Sequence, residues 1–83
     1  DELPVIQANP TSFYEDLNLS ISKAVDNVDL EILNSNGQLV FKGAYQNTSS
    51  IRIPYHHFGS NGLYFVKARM DGIQQSIKVI KVN

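Results

Sequence analysis

Apolar and polar residues alternate with period two along nearly the whole chain. Leu17, Leu19 and Ile21 alternate with Asn18 and Ser20, and Val28, Leu30 and Ile32 with Asp29 and Glu31. Ile51 and Ile53 flank Arg52, while Tyr64, Val66 and Ala68 interleave with Phe65, Lys67 and Arg69. This spacing buries one face of a strand and leaves the other to water; it places no apolar stripe along a helix. The abundance of Val, Ile, Tyr and Phe suits the same half-buried pleat.

Turn chemistry separates these runs. Asn9-Pro10 closes a short first strand, because proline has no N–H and pushes the preceding residue to extended backbone. Asn34-Ser35-Asn36-Gly37 predicts a hairpin, since Asn36 and Gly37 both tolerate positive φ. Asn47 to Ser50 reads as a polar connection, His56 to Asn61 as a longer loop closing at Gly62, and Asp71-Gly72 as a second tight hairpin. The pattern predicts strands at about 4–8, 13–22, 27–34, 38–45, 49–54, 62–70 and 73–82. A seven-stranded antiparallel, immunoglobulin-like β-sandwich is the expected fold. The expected core is Leu17, Leu19, Ile21, Val28, Leu30, Ile32, Val40, Ile51, Ile53, Tyr64, Val66, Ala68 and Ile77. The last strand has apolar residues at 77, 79, 80 and 82, which breaks strict alternation and predicts a bulge or a strand covered on both sides.

A chain of 83 residues forms a single domain, 1–83. It carries 42% hydrophobic and 18% charged residues, a globular composition. The absence of cysteine excludes a disulfide scaffold and any Cys-ligated metal centre. A net charge of -1 argues against a nucleic-acid binder. Apolar runs such as Leu63 to Val66 are far shorter than the ~20 residues that cross a bilayer as a helix, so no transmembrane segment is expected. The chain starts at Asp1 rather than Met and is read as excised from a longer exported protein.

The near-neutral total conceals an uneven distribution. Asp1, Glu2, Glu15, Asp16, Asp26, Asp29 and Glu31 precede residue 32, with Lys23 as the single base there. Lys42, Arg52, Lys67, Arg69, Lys78 and Lys81 follow, with Asp71 as the single acid. The expectation is that early acidic strands lie beside late basic strands and pair across the sheet. The alternative is a two-faced surface that orients against a partner.

No constellation calls for catalysis or a cofactor. His56 and His57 are adjacent, so on a strand they point to opposite faces, and a metal needs three or four converging ligands. Asp26, Asp29 and Glu31 lack the Asp-x-Asp-x-Asp-Gly loop that wraps calcium. No serine sits in a Gly-x-Ser-x-Gly elbow. The chain is therefore read as a non-enzyme without cofactor. Phe13, Tyr14, Tyr45, Tyr55, Phe58 and Phe65 offer a carbohydrate-stacking platform only if exposed, Tyr14 and Phe65 above all. Asn18-Leu19-Ser20 and Asn47-Thr48-Ser49 fit the glycosylation triplet, a pattern common by chance.

The order of these signals carries a resemblance. Asn9-Pro10 comes first, then Asn34 and Gly37 followed by Leu39-Val40. Ile51-Arg52-Ile53-Pro54 follows, then Gly62-x-Tyr64-x-Val66, and a tail of Lys78-Val79-Ile80-Lys81-Val82. Over residues 5–82 this resembles the type A C-terminal sorting domain of the type IX secretion system of Bacteroidota. Ala8 stands where that family commonly has proline before Asn-Pro. The resemblance implies a folded export signal and marks Asn9, Pro10, Asn34, Gly37, Gly62, Tyr64, Val66, Lys78, Val79, Ile80, Lys81 and Val82 as signal motifs. It implies as partners an outer-membrane translocon or shuttle protein and a sortase-like peptidase that removes the domain. The route it implies is the periplasm, then the outer membrane, cell surface or medium. The last strand is the expected recognition element, with Lys78 and Lys81 on an apolar ribbon. A loosely tied first strand offers a homodimer by strand swapping. The competing reading is an immunoglobulin-like carbohydrate-binding or adhesion module; a plain structural spacer is a third.

Overall fold

The computed structural model describes residues 3–82. Its elements are β1 (Ile6–Ala8), β2 (Ser12–Phe13), β3 (Leu17–Asn34), β4 (Leu39–Ile53), a single 3-10 turn at Tyr55–His57, β5 (Gly62–Met70) and β6 (Ile73–Lys81). The chain is all-β. Six strands form one hydrogen-bonded sheet in the order β1-β3-β5-β6-β2, with β4 on the other edge of β3. All pairs are antiparallel except β2 with β6, which run parallel with Ser12 opposite Ile80 and Phe13 opposite Lys81.

The expected seven-stranded sandwich is thus replaced by a curled sheet of six strands. The expected strands 13–22 and 27–34 are parts of one continuous strand, and so are 38–45 and 49–54. Residues 12–13 instead form a separate strand against β6. Asn47, read as part of a connection, takes φ 51 inside β4. The β3–β4 register shifts between Ser20 and Val25 over the same stretch. Asparagine tolerates that left-handed conformation, so the ribbon kinks and twists without ending.

The kink matters because of length. An 18-residue strand laid straight would reach about 60 Å at ~3.3 Å per residue. The longest dimension of the molecule is 38 Å. The ribbon therefore curls over, and the turn that follows β4 comes back to its start: the Phe41 and His57 rings lie edge to face with centroids 4.9 Å apart.

Asp71, at the β5–β6 turn with φ 49, holds the curl. Its carboxylate accepts from the Asn27 and Asp26 amides at 2.9 and 3.2 Å, and its own N–H donates to the Asn27 carbonyl at 3.1 Å. Just past the register shift, at the edge of β3 beyond its last partner on β5, the side chain satisfies backbone donors that would otherwise lack a strand partner.

Directly opposed residues share a face. Val28, Leu30 and Ile32 accordingly line the inside with Met70, Ala68 and Val66 opposite them. Leu17, Leu19, Ile21, Ile51 and Ile53 join from the other half, and every expected core residue is buried except Val40 and Ile77, which are half-buried. Ile6, Phe13, Val25, Phe58, Met70 and Val79 are core residues that the alternation alone did not select. Phe58 packs edge to face against both Phe13 (4.8 Å) and Tyr64 (5.1 Å), closing one end. On β6 the inner face is Ile73, Gln75, Ile77 and Val79. Val79 is fully buried and Ile80 points out, so β6 alternates regularly and the expected bulge is absent there.

Gln75 joins the two margins of the curl. β1 pairs with β3 on one side (Ile6 opposite Ile21) and faces β6 on the other. There the Ile6 N–H donates to Gln75 Oε1 at 3.0 Å, and Gln75 Nε2 donates to the Pro4 carbonyl at 2.7 Å. The side-chain amide thus serves as the neighbouring strand that β1 lacks. β1 is held on both sides, so its exchange between copies would have to break this clamp. Replacing Gln75 by alanine should lower stability by about 1–3 kcal/mol, since it leaves two partly buried backbone groups unpaired. Chemical denaturation measures the loss, and the Ile6 amide should exchange with deuterium faster than the β5 amides.

Candidate functional site

The motif residues fall into two groups by position. Asn9, Pro10, Asn34, Gly37 and Gly62 lie at turns and strand ends. Asn9 donates through its backbone to the Asn18 carbonyl at 3.1 Å and through Nδ2 to Ser20 Oγ at 3.2 Å, so it fastens the exit of β1 to β3. Asn34 organises the β3–β4 hairpin. Its Oδ1 accepts from the Asn36 and Gln38 amides at 3.0 and 2.9 Å, and its Nδ2 donates to Gln38 Oε1 at 3.0 Å. Gly37 takes φ 81 and donates to the Asn34 carbonyl at 2.9 Å. A β-carbon at Gly37 would meet nothing within 4 Å, so the turn selects glycine for its backbone and not for space.

Tyr64 and Val66 are inside. Tyr64 is 3% exposed, and its hydroxyl donates to the Ser60 carbonyl at 2.6 Å, pinning the 58–61 loop over the core. These motif residues build the fold; they do not form a surface. The tail divides by parity. Val79 faces the core, while Lys78 and Ile80 face outward. Lys81 turns to the loop, with Nζ donating to the Gly59 carbonyl at 3.2 Å and lying 3.4 Å from Asn61 Oδ1. Lys78 and Lys81 therefore do not share a surface. Val82 continues along β2, its N–H donating to the Phe13 carbonyl at 2.8 Å.

The convex face of the sheet carries two bands. In one, Glu31 stands between Lys42 and Lys67, and Asp29 is flanked by Ala44 and Arg69. The early acids thus lie beside the late bases, as the charge distribution leads one to expect, around a shallow depression of about 560 Å³. Among the described residues, ion-pair distance is reached elsewhere, by Arg52 and Asp16 at 2.9 Å.

The second band is apolar. Leu39, Leu33 and Phe65 stand side by side across β4, β3 and β5, with Lys78 next on β6. Leu63 and Ile80 are paired one step along. Leu39 is 52% exposed and Ile80 41%, and Leu33, Leu63 and Phe65 are half-buried. This band was not singled out from the sequence. Its signal is present there: Leu33, Leu39, Leu63, Phe65 and Ile80 occupy the positions between inward-facing residues, where polar side chains are otherwise found.

The sugar-platform residues are separated. Tyr14 is 68% exposed beside the β2–β3 link, and Phe65 lies in the convex band; they form no ring pair. His56 and His57 sit in the 3-10 turn with rings 4.3 Å apart. Among the described residues no group of three or more His, Asp or Glu side chains gathers as metal ligands, and no helix is long and apolar enough to cross a membrane.

The fold and surface define a small β-domain whose exposed features suit recognition. The chain belongs to the secretion system C-terminal sorting domain family, the sorting tail of type IX secretion, whose match spans residues 8–82. No curated protein matches it. The family match runs from the end of β1 through Val82 and so includes the turns, the buried Tyr64 and the whole of β6.

One titration follows from the half-buried inner edge. Burial raises the Tyr45 hydroxyl above its ordinary value of 10.0. Its neutral form is favoured in the folded state, so its contribution is complete below pH 10.0 and is lost as pH rises through the folded value. Replacing Tyr45 by phenylalanine should flatten that part of the stability profile. Denaturant midpoints followed upward from neutral pH test this.

Proposed function

We propose that the domain acts by being recognised, not by catalysis, and that the convex apolar band centred on Phe65 and bounded by Lys78 is the surface that the type IX machinery reads. The carrying observation is that Leu33, Leu39, Leu63, Phe65 and Ile80 sit together in one band that no strand among the described residues covers. Contiguous exposed apolar surface marks interaction sites. As a sorting tail the domain implies export across the outer membrane to the surface or medium. On this reading it engages an outer-membrane translocon or shuttle protein after periplasmic transit. A sortase-like peptidase that removes the tail, with surface attachment of the cargo, completes the reading.

Truncating Lys78 to Asn83 is a poor test, because it removes the buried Val79 and the strand that pairs with β2. Substitutions confined to the convex face separate recognition from folding. Phe65→Asp and Ile80→Asp, in the full parent protein, should each reduce export at least tenfold while the isolated domain melts within a few degrees of wild type. Lys78→Glu should reduce export less. Tyr64→Ala should reduce export by unfolding the domain, visible as a lost cooperative transition. Normal export of the Phe65→Asp, Ile80→Asp double variant would overturn this surface.

A further inference from the structure

We propose that the amino-terminal half of β4, Leu39–Asn47, is a homotypic pairing edge, on which a second copy of this chain adds its own β4 antiparallel about a twofold axis at Gly43. Among the described residues β4 pairs with β3 alone, which leaves its other edge open to them. The two halves of that edge are treated differently. In the carboxyl-terminal half, the Thr48 hydroxyl donates to the Ser50 carbonyl at 2.7 Å and accepts from the Ser50 N–H at 3.3 Å. Just beyond the strand, Asp16 accepts from the Tyr55 N–H at 3.1 Å. Residues 39–46 have no such seal: among the described residues no side chain bonds their backbone. They contain no proline, and Lys42 is their single charge. Proteins normally blunt an open edge with proline, bulges or several charges.

The occupant follows from self-complementarity. The open segment begins where the hairpin ends at Leu39 and stops where Asn47 turns to φ 51. Its midpoint is Gly43. Antiparallel pairing about Gly43 sets Phe41 against the second copy's Tyr45, and Tyr45 against its Phe41, on the inner face. On the outer face it sets Lys42 against Ala44 in both directions. Aromatic pairs directly opposed across strands are favourable. A register centred one residue earlier would set Lys42 against Lys42, a like-charge pair. Phe41 and Tyr45 already gather over the centre: a β-carbon at Gly43 would meet the Phe41 ring at 3.1 Å and the Tyr45 hydroxyl at 3.2 Å, so glycine there lets the two aromatics lie together on the inner face. This association differs from exchange of β1, which is clamped on both sides.

Sedimentation equilibrium over micromolar to millimolar protein, with deuterium exchange at both extremes, tests the edge. Wild type should dimerise reversibly, and amides in 40–46 should gain protection as concentration rises. Ala44→Lys places like charges opposite Lys42 twice and should weaken dimerisation at least tenfold. In its own chain residue 44 lies beside Asp29, so the lysine should leave the melting transition of the monomer intact. Ala44→Glu should tighten the dimer several-fold at low salt, and the gain should shrink at high salt. A monomer throughout the concentration range would overturn the proposal. So would a dimer indifferent to both substitutions, or one abolished by removing residues 1–8 while 40–46 stay unprotected.

Discussion

Everything inside this domain depends on the curl of a single two-stranded ribbon. β3 and β4 are too long to lie flat against a core of this size, and their apolar residues are buried only because the ribbon bends over itself. Asp71 is central to that bend. It comes from the far hairpin, meets β3 just past the register shift, and accepts from two amides beyond the end of the β3–β5 ladder. Leu19 and Ile21 then face one half of the interior and Val28, Leu30 and Ile32 the other. One sheet does the work of two layers, which explains why the turn spacing resembles a sandwich.

The margins of the curl are joined by economical means. β1 and β6 lie side by side without a backbone ladder, and one glutamine supplies both a donor and an acceptor in its place. β2 contributes two residues, parallel to β6, and brings the Phe13 ring over the open end against Phe58, which in turn packs on Tyr64. A small domain buries a modest fraction of its surface, so such closures at the ends of the core weigh heavily in its stability.

The alternation made the strands, the inner face and the hairpins at Gly37 and Gly72 legible before any coordinates. It misplaced two features for identifiable reasons. Asn47 to Ser50 has the composition of a loop, yet its hydroxyls and left-handed asparagine satisfy an edge within a strand. Phe13 and Ile6 belong to segments too short to show a period, so their burial depends on partners distant in sequence; Gln75, 69 positions from Ile6, leaves no local trace at all. Family membership was legible from the order of the motifs. The structure shows that Asn34, Gly37, Gly62 and Tyr64 are constraints on folding, whereas the convex apolar band is read only once the register of four strands is known.

The parallel pairing of β2 with β6 has a consequence for synthesis. Residues 12 and 13 emerge early but have no strand to join until residues 80 and 81 exist, and Phe13 cannot be enclosed before then. A chain that stops short of β6 carries most of the motif residues and still presents no closed domain. The strand of the domain that is made last is therefore the one that closes it, so closure of the fold and completeness of the domain are a single event.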